Sequence, residues 1–158
     1  IYNIYMDKKV VIIPTYNEKE NIEKIIRAVM DLEGEYNILV IEDGSPDGTA
    51  DIVRRLQKEF TDKLFMIERK GKLGLGTAYI TGFKWALDHG FVYIFEMDAD
   101  FSHNPLDLKR LYEACSVEGA DLSIVQGCLG HSSPETTMQV YSNMNSDTLR
   151  QAHHKYVG

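Results

Sequence analysis

Apolar runs alternate with helix-like segments four times along this chain, and this alternation is the feature that most restricts its fold. The apolar runs cover residues 9–14, 38–41, 63–70 and 92–100, and each is followed by a segment of helical periodicity, at residues 17–32, 49–60, 76–90 and 105–119. A short run that is apolar at successive positions is typical of a parallel strand, because such a strand is buried on both faces. Right-handed crossovers between the strands then place helices on both faces of one mostly parallel sheet. The sequence therefore predicts an α/β domain.

The composition fits one domain and disfavours several functions. The chain has 158 residues, 44% of them hydrophobic, and a net charge of −7. A chain of about 150 residues can bury a substantial core, whereas an acidic surface is poorly suited to nucleic-acid phosphates. Two cysteines are too few for a disulfide framework, and neither a membrane-length apolar run nor a secretory signal is visible. We expect a cytoplasmic protein that does not bind nucleic acid, with residues 1–8 as a ragged start outside the domain.

Polar, glycine and acidic residues concentrate directly after each predicted strand. The four segments read "PTYNE", "EDGSPDG", "RKGKLGLG" and "DADFSHN". In open parallel sheets the carboxyl ends of the strands meet at one edge, and ligands bind there. We therefore expect the functional site at this edge. Tyr79, Phe83 and Trp85 recur at helical spacing and are predicted to lie in the core rather than to form a sugar-binding platform.

Two aspartates with one residue between them follow the fourth apolar run. Asp98 and Asp100 lie in "EMDADFSHNP", and like charges so close repel unless a cation lies between them. Residues i and i+2 of a strand share a face, and carboxylate oxygens are suitable ligands for Mg²⁺ or Mn²⁺. The alternative is a solvated turn that also caps the next helix. His103 is open to two interpretations in the same way, a catalytic base or a helix-entry histidine with a local hydrogen bond.

Two further segments are candidates for binding a nucleotide. Asp43 ends the second predicted strand and could accept hydrogen bonds from a ribose or a base, although "GSPDG" is equally consistent with a tight turn whose Asp47 caps the next helix. Residues 69–78, "RKGKLGLGTA", combine cations and glycines before a helix, which suits contact with diphosphate oxygens through Lys72 and Gly74. The segment lacks the Walker lysine pattern and the dinucleotide fingerprint, and glycine-rich loops are often only turns.

Four of these motifs together resemble glycosyltransferase family 2, most closely its dolichol-phosphate mannosyltransferase branch. The motifs are "VVIIPTYNE", "IEDGSPDGT", "GKLGLGTAY" and "MDADFSHNP", and the resemblance covers about residues 9–124. It implies a GT-A (Rossmann-like) fold over residues 9–126 and a divalent metal, Mg²⁺ or Mn²⁺, at Asp98 and Asp100, with Ser102 where the branch often has a further polar ligand. It also implies a nucleotide pocket that uses Pro14, Tyr16, Glu18, Asp43, Lys72, Gly74 and Asp98.

The resemblance also implies a reaction. The family transfers a sugar from a nucleotide sugar, here mannose from GDP-mannose or another sugar from a UDP-sugar, to a polyprenyl phosphate at the cytoplasmic face of the membrane. The anomeric carbon is inverted. In this chemistry Asp98 and Asp100 are the catalytic residues, because a metal clamp stabilises the departing diphosphate. The acceptor phosphate is already an anionic nucleophile, so no dedicated general base is required.

The pattern changes between Gly119 and Gln126: a second resemblance covers about residues 119–158, and we assign residues 127–158 to a separate tail. "GADLSIVQ", "LGHSSPETT" and "VYS" resemble the end of a tyrosine recombinase, with His131 and Tyr141 at active-site positions and Asn143 where a histidine is common. The arginines that such an enzyme needs are missing, so we expect a chimera with a short helical tail that docks on the sheet or swaps between two copies. The family's acceptor segment is also missing, so we expect nucleotide binding with impaired transfer. A nucleotide-binding remnant and a recombinase fragment are the alternatives.

Overall fold

The computed structural model describes residues 8–117, 124–125 and 139–142. The strands are β1 (Lys9–Thr15), β2 (Tyr36–Glu42), β3 (Leu64–Glu68), β4 (Tyr93–Glu96), β5 (Ile124–Val125) and β6 (Gln139–Ser142). The helices are α1 (Ile22–Met30), α2 (Thr49–Glu59), α3 (Leu75–Asp88) and α4 (Asp107–Val117). Each of the four predicted strand and helix pairs is present, so the predicted alternation is confirmed.

The six strands of the described residues form one sheet in the order β3-β2-β1-β4-β6-β5. The first four are parallel: Val10 of β1 lies opposite Asn37 of β2 and Ile94 of β4. Their carboxyl ends therefore lie along the same edge, which brings together the loops after β1, β2, β3 and β4. The predicted α/β class with a mostly parallel sheet is confirmed.

The two faces of the sheet carry two separate hydrophobic cores, because successive strand residues point to opposite sides. Val11 and Ile13 of β1 face the core that α1, α2 and α4 cover, whereas Val10 and Ile12 face the core that α3 covers. All four of these strand residues are fully buried. The sheet is therefore packed on both faces, and the loops at its carboxyl edge start from buried strands.

The last strand of the sheet corrects part of the predicted tail. We expected helices after Gln126, but Gln139–Ser142 is a strand that pairs antiparallel with β4, with Tyr141 opposite Ile94. Without this pairing β4 would be an open edge with unpaired backbone groups, and Val140 and Tyr141 have side chains that favour strands. The helix prediction is therefore wrong at these four residues, and this part of the tail belongs to the same sheet as the predicted nucleotide domain.

The other predictions for the tail lie largely outside the described residues. His131 and Asn143 are among the residues that are not described, and so is most of residues 127–158. The resemblance to a recombinase, the chimera and the swapped dimer stay predictions. Among the helices of the described ranges, none combines the length and the hydropathy that a membrane crossing requires.

Candidate functional site

A cavity of about 210 Å³ opens at the carboxyl edge of the parallel strands. It is lined by Pro14, Thr15, Tyr16, Glu18, Asp43, Lys72, Gly74, Leu75, Ala78, Asp98, Ala99 and Asp100. The structure thus brings together all seven residues predicted to bind the nucleotide, from four loops that are far apart in the sequence. Asp100 of the predicted metal site lines the same cavity.

The loop after β1 is held in place by side chains of the loop after β2. The backbone N–H groups of residues 17, 18 and 19 donate to Ser45 Oγ at 2.9 Å, Thr49 Oγ1 at 3.0 Å and Asp47 Oδ2 at 3.1 Å. Asp47 also accepts from the backbone N–H of Thr49 at 3.0 Å, whereas the N-cap position of α2 is occupied by Gly48, so the predicted cap Asp47 lies one residue before it. These side chains therefore determine where the cavity residues Tyr16 and Glu18 lie.

Asp43 is buried at the end of β2 and is paired with a residue that sequence reasoning did not single out. Arg69 Nε and Nη2 donate to the two carboxylate oxygens of Asp43 at 2.6 and 2.7 Å. The two side chains are 9% and 7% exposed. Asp43 is therefore not a plain turn residue, because it forms a bidentate ion pair at the wall of the cavity.

The acidic pair lies just beyond β4, in the turn that leads to α4. Asp98 is partly buried, and this burial raises its pKa, while the interaction with His103 lowers it in part and the negative charge of Asp100 raises it further. Burial also pushes up the pKa of Asp100, but hydrogen bonds from the side chain and backbone of Ser102 outweigh this effect and the pKa is lowered. The two carboxylates thus differ in environment, although a single residue separates them.

The local charge around the pair is strongly negative. Burial raises the pKa of Glu18, a hydrogen bond with Asn21 opposes this, and the charges of Asp100, Asp47 and Asp98 raise the pKa further. Glu18 therefore lies close enough to Asp98 and Asp100 to interact with their charges. A cation at this point would relieve the repulsion among the carboxylates.

The donor set fits a cation that keeps open positions for other ligands. Within residues 8–117 and the two short strands that are also described, no group of three or more His, Cys, Asp or Glu side chains is arranged to hold a metal ion. Two carboxylates alone are typical of Mg²⁺ or Mn²⁺ sites that are completed by water and substrate phosphates. Ser102 does not line the cavity, and its backbone N–H donates to Asp100 Oδ1 at 2.9 Å. The structure therefore places Ser102 as a neighbour of Asp100, and its role as a metal ligand stays a prediction.

The glycine-rich loop contributes a cation and the start of a helix to the cavity. Gly74 is the N-cap residue of α3, with a φ of +100° that a residue with a side chain rarely adopts. Lys72 Nζ lies 5.2 Å from the centre of the Tyr16 ring. The N-terminus of a helix together with a lysine is an arrangement that favours phosphate groups.

Tyr79 and His103 show where the sequence interpretation was incomplete. Tyr79 is buried as predicted, but its hydroxyl also donates to Asp98 Oδ1 at 3.3 Å. Of the two interpretations of His103, the local hydrogen bond is not present: both of its buried ring nitrogens lack a hydrogen-bond partner among the described residues. Helical spacing is enough to place the Tyr79 ring in the core, but it does not show which group the hydroxyl at the end of the ring contacts.

Comparisons with known proteins agree with this geometry. The profile of glycosyl transferase family 2 matches residues 10–155. The chain is 45% identical over 117 residues to a polyprenol monophosphomannose synthase of Mycolicibacterium smegmatis, and the matched segment covers 74% of this chain and 44% of that protein. It is also 45% identical over 113 residues to an undecaprenyl-phosphate mannosyltransferase of Micrococcus luteus, which covers 72% of this chain and 45% of that protein. The chain thus spans less than half of the length of these curated relatives.

Solved structures of glycosyltransferases have the same fold. A mannosyltransferase of Pyrobaculum calidifontis, in complex with GDP-Man and Mn²⁺, superposes with a TM-score of 0.54 at 28% identity, over 59% of this chain and 27% of that one. TarS of S. aureus, in complex with UDP-GlcNAc, superposes with a TM-score of 0.54 at 26% identity, over 69% of this chain and 30% of that one. With its family profile, its relatives and its GT-A fold in agreement, the chain belongs to glycosyl transferase family 2.

Proposed function

We propose that this domain binds a nucleoside diphosphate sugar together with Mn²⁺ or Mg²⁺, and that the protein transfers the sugar to a polyprenyl phosphate. The observation that carries the proposal is the cavity at the sheet edge. There the acidic pair of the β4 loop, the glycine-rich loop after β3 and the buried Asp43 face one space. A diphosphate with its metal needs carboxylates, a cation and helix N–H groups in one place, and this cavity provides all three.

The sugar and its donor are proposed from the relatives. The two curated relatives at 45% identity are named for mannose transfer to polyprenol or undecaprenyl phosphate, and the mannosyltransferase of Pyrobaculum calidifontis was solved with GDP-Man and Mn²⁺. We therefore propose GDP-mannose as the donor and a polyprenyl phosphate at the cytoplasmic face of the membrane as the acceptor. A UDP-sugar is the alternative donor, because TarS, at similar structural likeness, was solved with UDP-GlcNAc.

Several residues in and beside the cavity have proposed roles. Asp98 and Asp100 would hold the divalent cation, which when bound supplies positive charge to the departing diphosphate. Lys72 and the N–H groups at the start of α3 would bind diphosphate oxygens. Asp43 would accept hydrogen bonds from the base or the ribose. Tyr79 holds the Asp98 carboxylate in orientation through its hydroxyl.

Calorimetry with the purified chain tests nucleotide binding. We expect GDP-mannose to bind in the presence of Mn²⁺ and not in the presence of EDTA. We expect Asp100→Asn to abolish this Mn²⁺-dependent binding of GDP-mannose. Asp51→Asn is the matched control, because Asp51 is an exposed aspartate on α2 whose side chain is 83% exposed. Unchanged Mn²⁺-dependent binding in Asp100→Asn would show that the metal site lies elsewhere.

Sugar transfer needs a separate measurement. The chain is incubated with radiolabelled GDP-mannose or UDP-glucose, Mn²⁺ and a polyprenyl phosphate, and the lipid fraction is extracted and counted. Label in the lipid from one donor supports the transferase proposal and identifies the sugar. Nucleotide binding without any labelled lipid would favour the nucleotide-binding remnant instead.

A further inference from the structure

The guanidinium of Arg69 donates hydrogen bonds to both carboxylate oxygens of Asp43. This fork-to-fork geometry is the most specific form of an arginine–carboxylate pair. Both side chains are at least nine-tenths buried. Burial of such a pair is costly unless the remaining donors are also satisfied, so the other contacts of Arg69 matter.

The remaining donors of Arg69 reach the start of α3. Nη1 donates to Thr77 Oγ1 at 2.9 Å, and Nη2 approaches the carbonyl oxygen of Gly74 at 3.3 Å. The Thr77 hydroxyl in turn donates to the carbonyl oxygens of Leu73 and Gly74, each at 2.8 Å. The guanidinium therefore links the end of β2 to the turn that starts α3.

The two loops that Arg69 connects are also packed closely at the backbone. A Cβ at Gly44 would lie 3.1 Å from the backbone nitrogen of Gly71. The backbone N–H of Arg69 donates to the carbonyl oxygen of Glu42 at 2.8 Å. The two loops are therefore in direct backbone contact, and the Arg69 side chain connects them as well.

Arg69 itself does not line the cavity, although Asp43 and Gly74, which it contacts, both do. We propose that Arg69 is a positioning residue for the nucleotide. Its contacts with the start of α3 anchor the guanidinium, which orients the Asp43 carboxylate and neutralises its charge so that an anionic nucleotide can bind beside it. Each Asp43 oxygen keeps a free lone pair, so Asp43 remains an acceptor for a donor group of the base or ribose. This inference rests on the proposed nucleotide binding.

The charge balance of the cavity supports this role. Among the described residues, four carboxylates line the cavity, those of Glu18, Asp43, Asp98 and Asp100, and Lys72 is the single basic residue of that lining. A divalent cation would balance the acidic pair, but it would not balance Asp43, which belongs to another loop. The buried guanidinium of Arg69, which contacts Asp43 from outside the cavity lining, supplies the balancing positive charge.

The first test compares two probes on the variant Arg69→Lys, which keeps the charge but loses the bidentate fork. With Mn²⁺ present, we expect GDP to bind about tenfold more weakly, the effect of one charge-assisted hydrogen bond. Inorganic pyrophosphate with Mn²⁺ should bind as before, because it does not reach Asp43. Arg27→Lys is the matched control, since Arg27 forms a bidentate pair with Glu59 on the exposed surface of α1 and α2.

A double-mutant cycle separates positioning from direct contact. If Arg69 acts through Asp43, the double variant Asp43→Asn/Arg69→Lys loses no more GDP affinity than Asp43→Asn alone. Additive losses would mean that Arg69 contacts the nucleotide itself, and they would overturn the proposal. An equal loss of pyrophosphate affinity would indicate collapse of the loops and would overturn it as well.

Thr77→Val provides a test that leaves every charge in place. Thr77 is exposed, so the variant is expected to fold even where the Arg69 variants do not, and melting curves check this for each protein. Loss of the Nη1 acceptor should weaken GDP about two- to threefold and leave pyrophosphate unchanged. Unchanged GDP affinity in both Thr77→Val and Arg69→Lys overturns this inference alone. Failure of the unaltered chain to bind GDP overturns the proposed function and this inference with it.

Discussion

Replacement of Gly82 by alanine should destabilise the protein, although alanine is the better helix former. Gly82 lies in the middle of α3, and a Cβ there would be 2.7 Å from both Cδ1 and Cγ2 of Ile12 and 3.1 Å from Cγ1. Carbon atoms in ordinary contact are about 3.5–4.0 Å apart. Ile12 cannot move away easily, because β1 is paired on both sides and its β-branched side chain is stiff. The helix must therefore shift off the sheet.

Two opposing effects determine the magnitude. Overpacking of a core costs about 1–3 kcal/mol, whereas a change from glycine to alanine inside a helix contributes about 1 kcal/mol in favour of folding. With two contacts nearly 1 Å too short, the steric cost should be in the upper part of its range, so we expect a net loss of about 1–2 kcal/mol. The melting temperature should fall by about 2–8 °C.

Urea denaturation of the wild type and Gly82→Ala measures this loss, and the denaturant slope should not change. A cycle with Ile12→Val adds a control, because valine lacks the Cδ1 atom that is one of the two closest contacts. The cost of Gly82→Ala should be smaller in that background. Equal stability of Gly82→Ala and wild type, or the same cost in both backgrounds, would refute the steric argument.

Three further predictions concern the residues around the cavity. Burial raises the pKa of Asp98 in the folded protein. The folded protein therefore keeps a proton at pH values where the unfolded chain has already released it, and the stability falls as the pH rises through the raised pKa. In the presence of EDTA, Asp98→Asn should melt at a higher temperature than wild type at pH 7, and this difference should vanish at low pH. Thr49→Val should lower the free energy of unfolding by about 1 kcal/mol, because the backbone N–H of Glu18 loses its acceptor. Urea denaturation measures this loss, and an unchanged free energy of unfolding would contradict the prediction. Lys72→Met should lower the affinity for GDP about tenfold in calorimetry with Mn²⁺, while the affinity for guanosine stays the same. An equal loss of affinity for guanosine would contradict a role of Lys72 in phosphate binding.

The order of strands and helices could be predicted from the sequence because it depends on local patterns. Apolar runs and helical spacing repeat within ten to twenty residues, and they locate the four strand and helix pairs. Parallel strands connected by helices must end at one edge, so the loops of Pro14, Asp43, Gly74 and Asp98 could be expected to meet. The cavity that all four of these residues line is the consequence of this rule.

Contacts between distant side chains could not be predicted in this way. Arg69 and Asp43 are 26 residues apart, and no pattern within the segment "RKGKLGLGTA" indicates which of its cations turns inward to a carboxylate. The Tyr79 hydroxyl reaches Asp98 only because α3 packs against the sheet at one particular height. Such pairings depend on how helices and loops lie across neighbouring strands, and this arrangement is a property of the folded chain.

The final strand illustrates the same limit at the level of backbone structure. Val140 and Tyr141 favour a strand only weakly, and the apolar spacing of the surrounding segment led to the prediction of a helix. The edge of β4 has backbone groups that need partners, and Gln139–Ser142 satisfies them as β6. Local sequence determined the alternation of elements and the chemistry of the loops, whereas tertiary structure decided which charges are neutralised and which edge is covered, because both depend on partners far away in the chain.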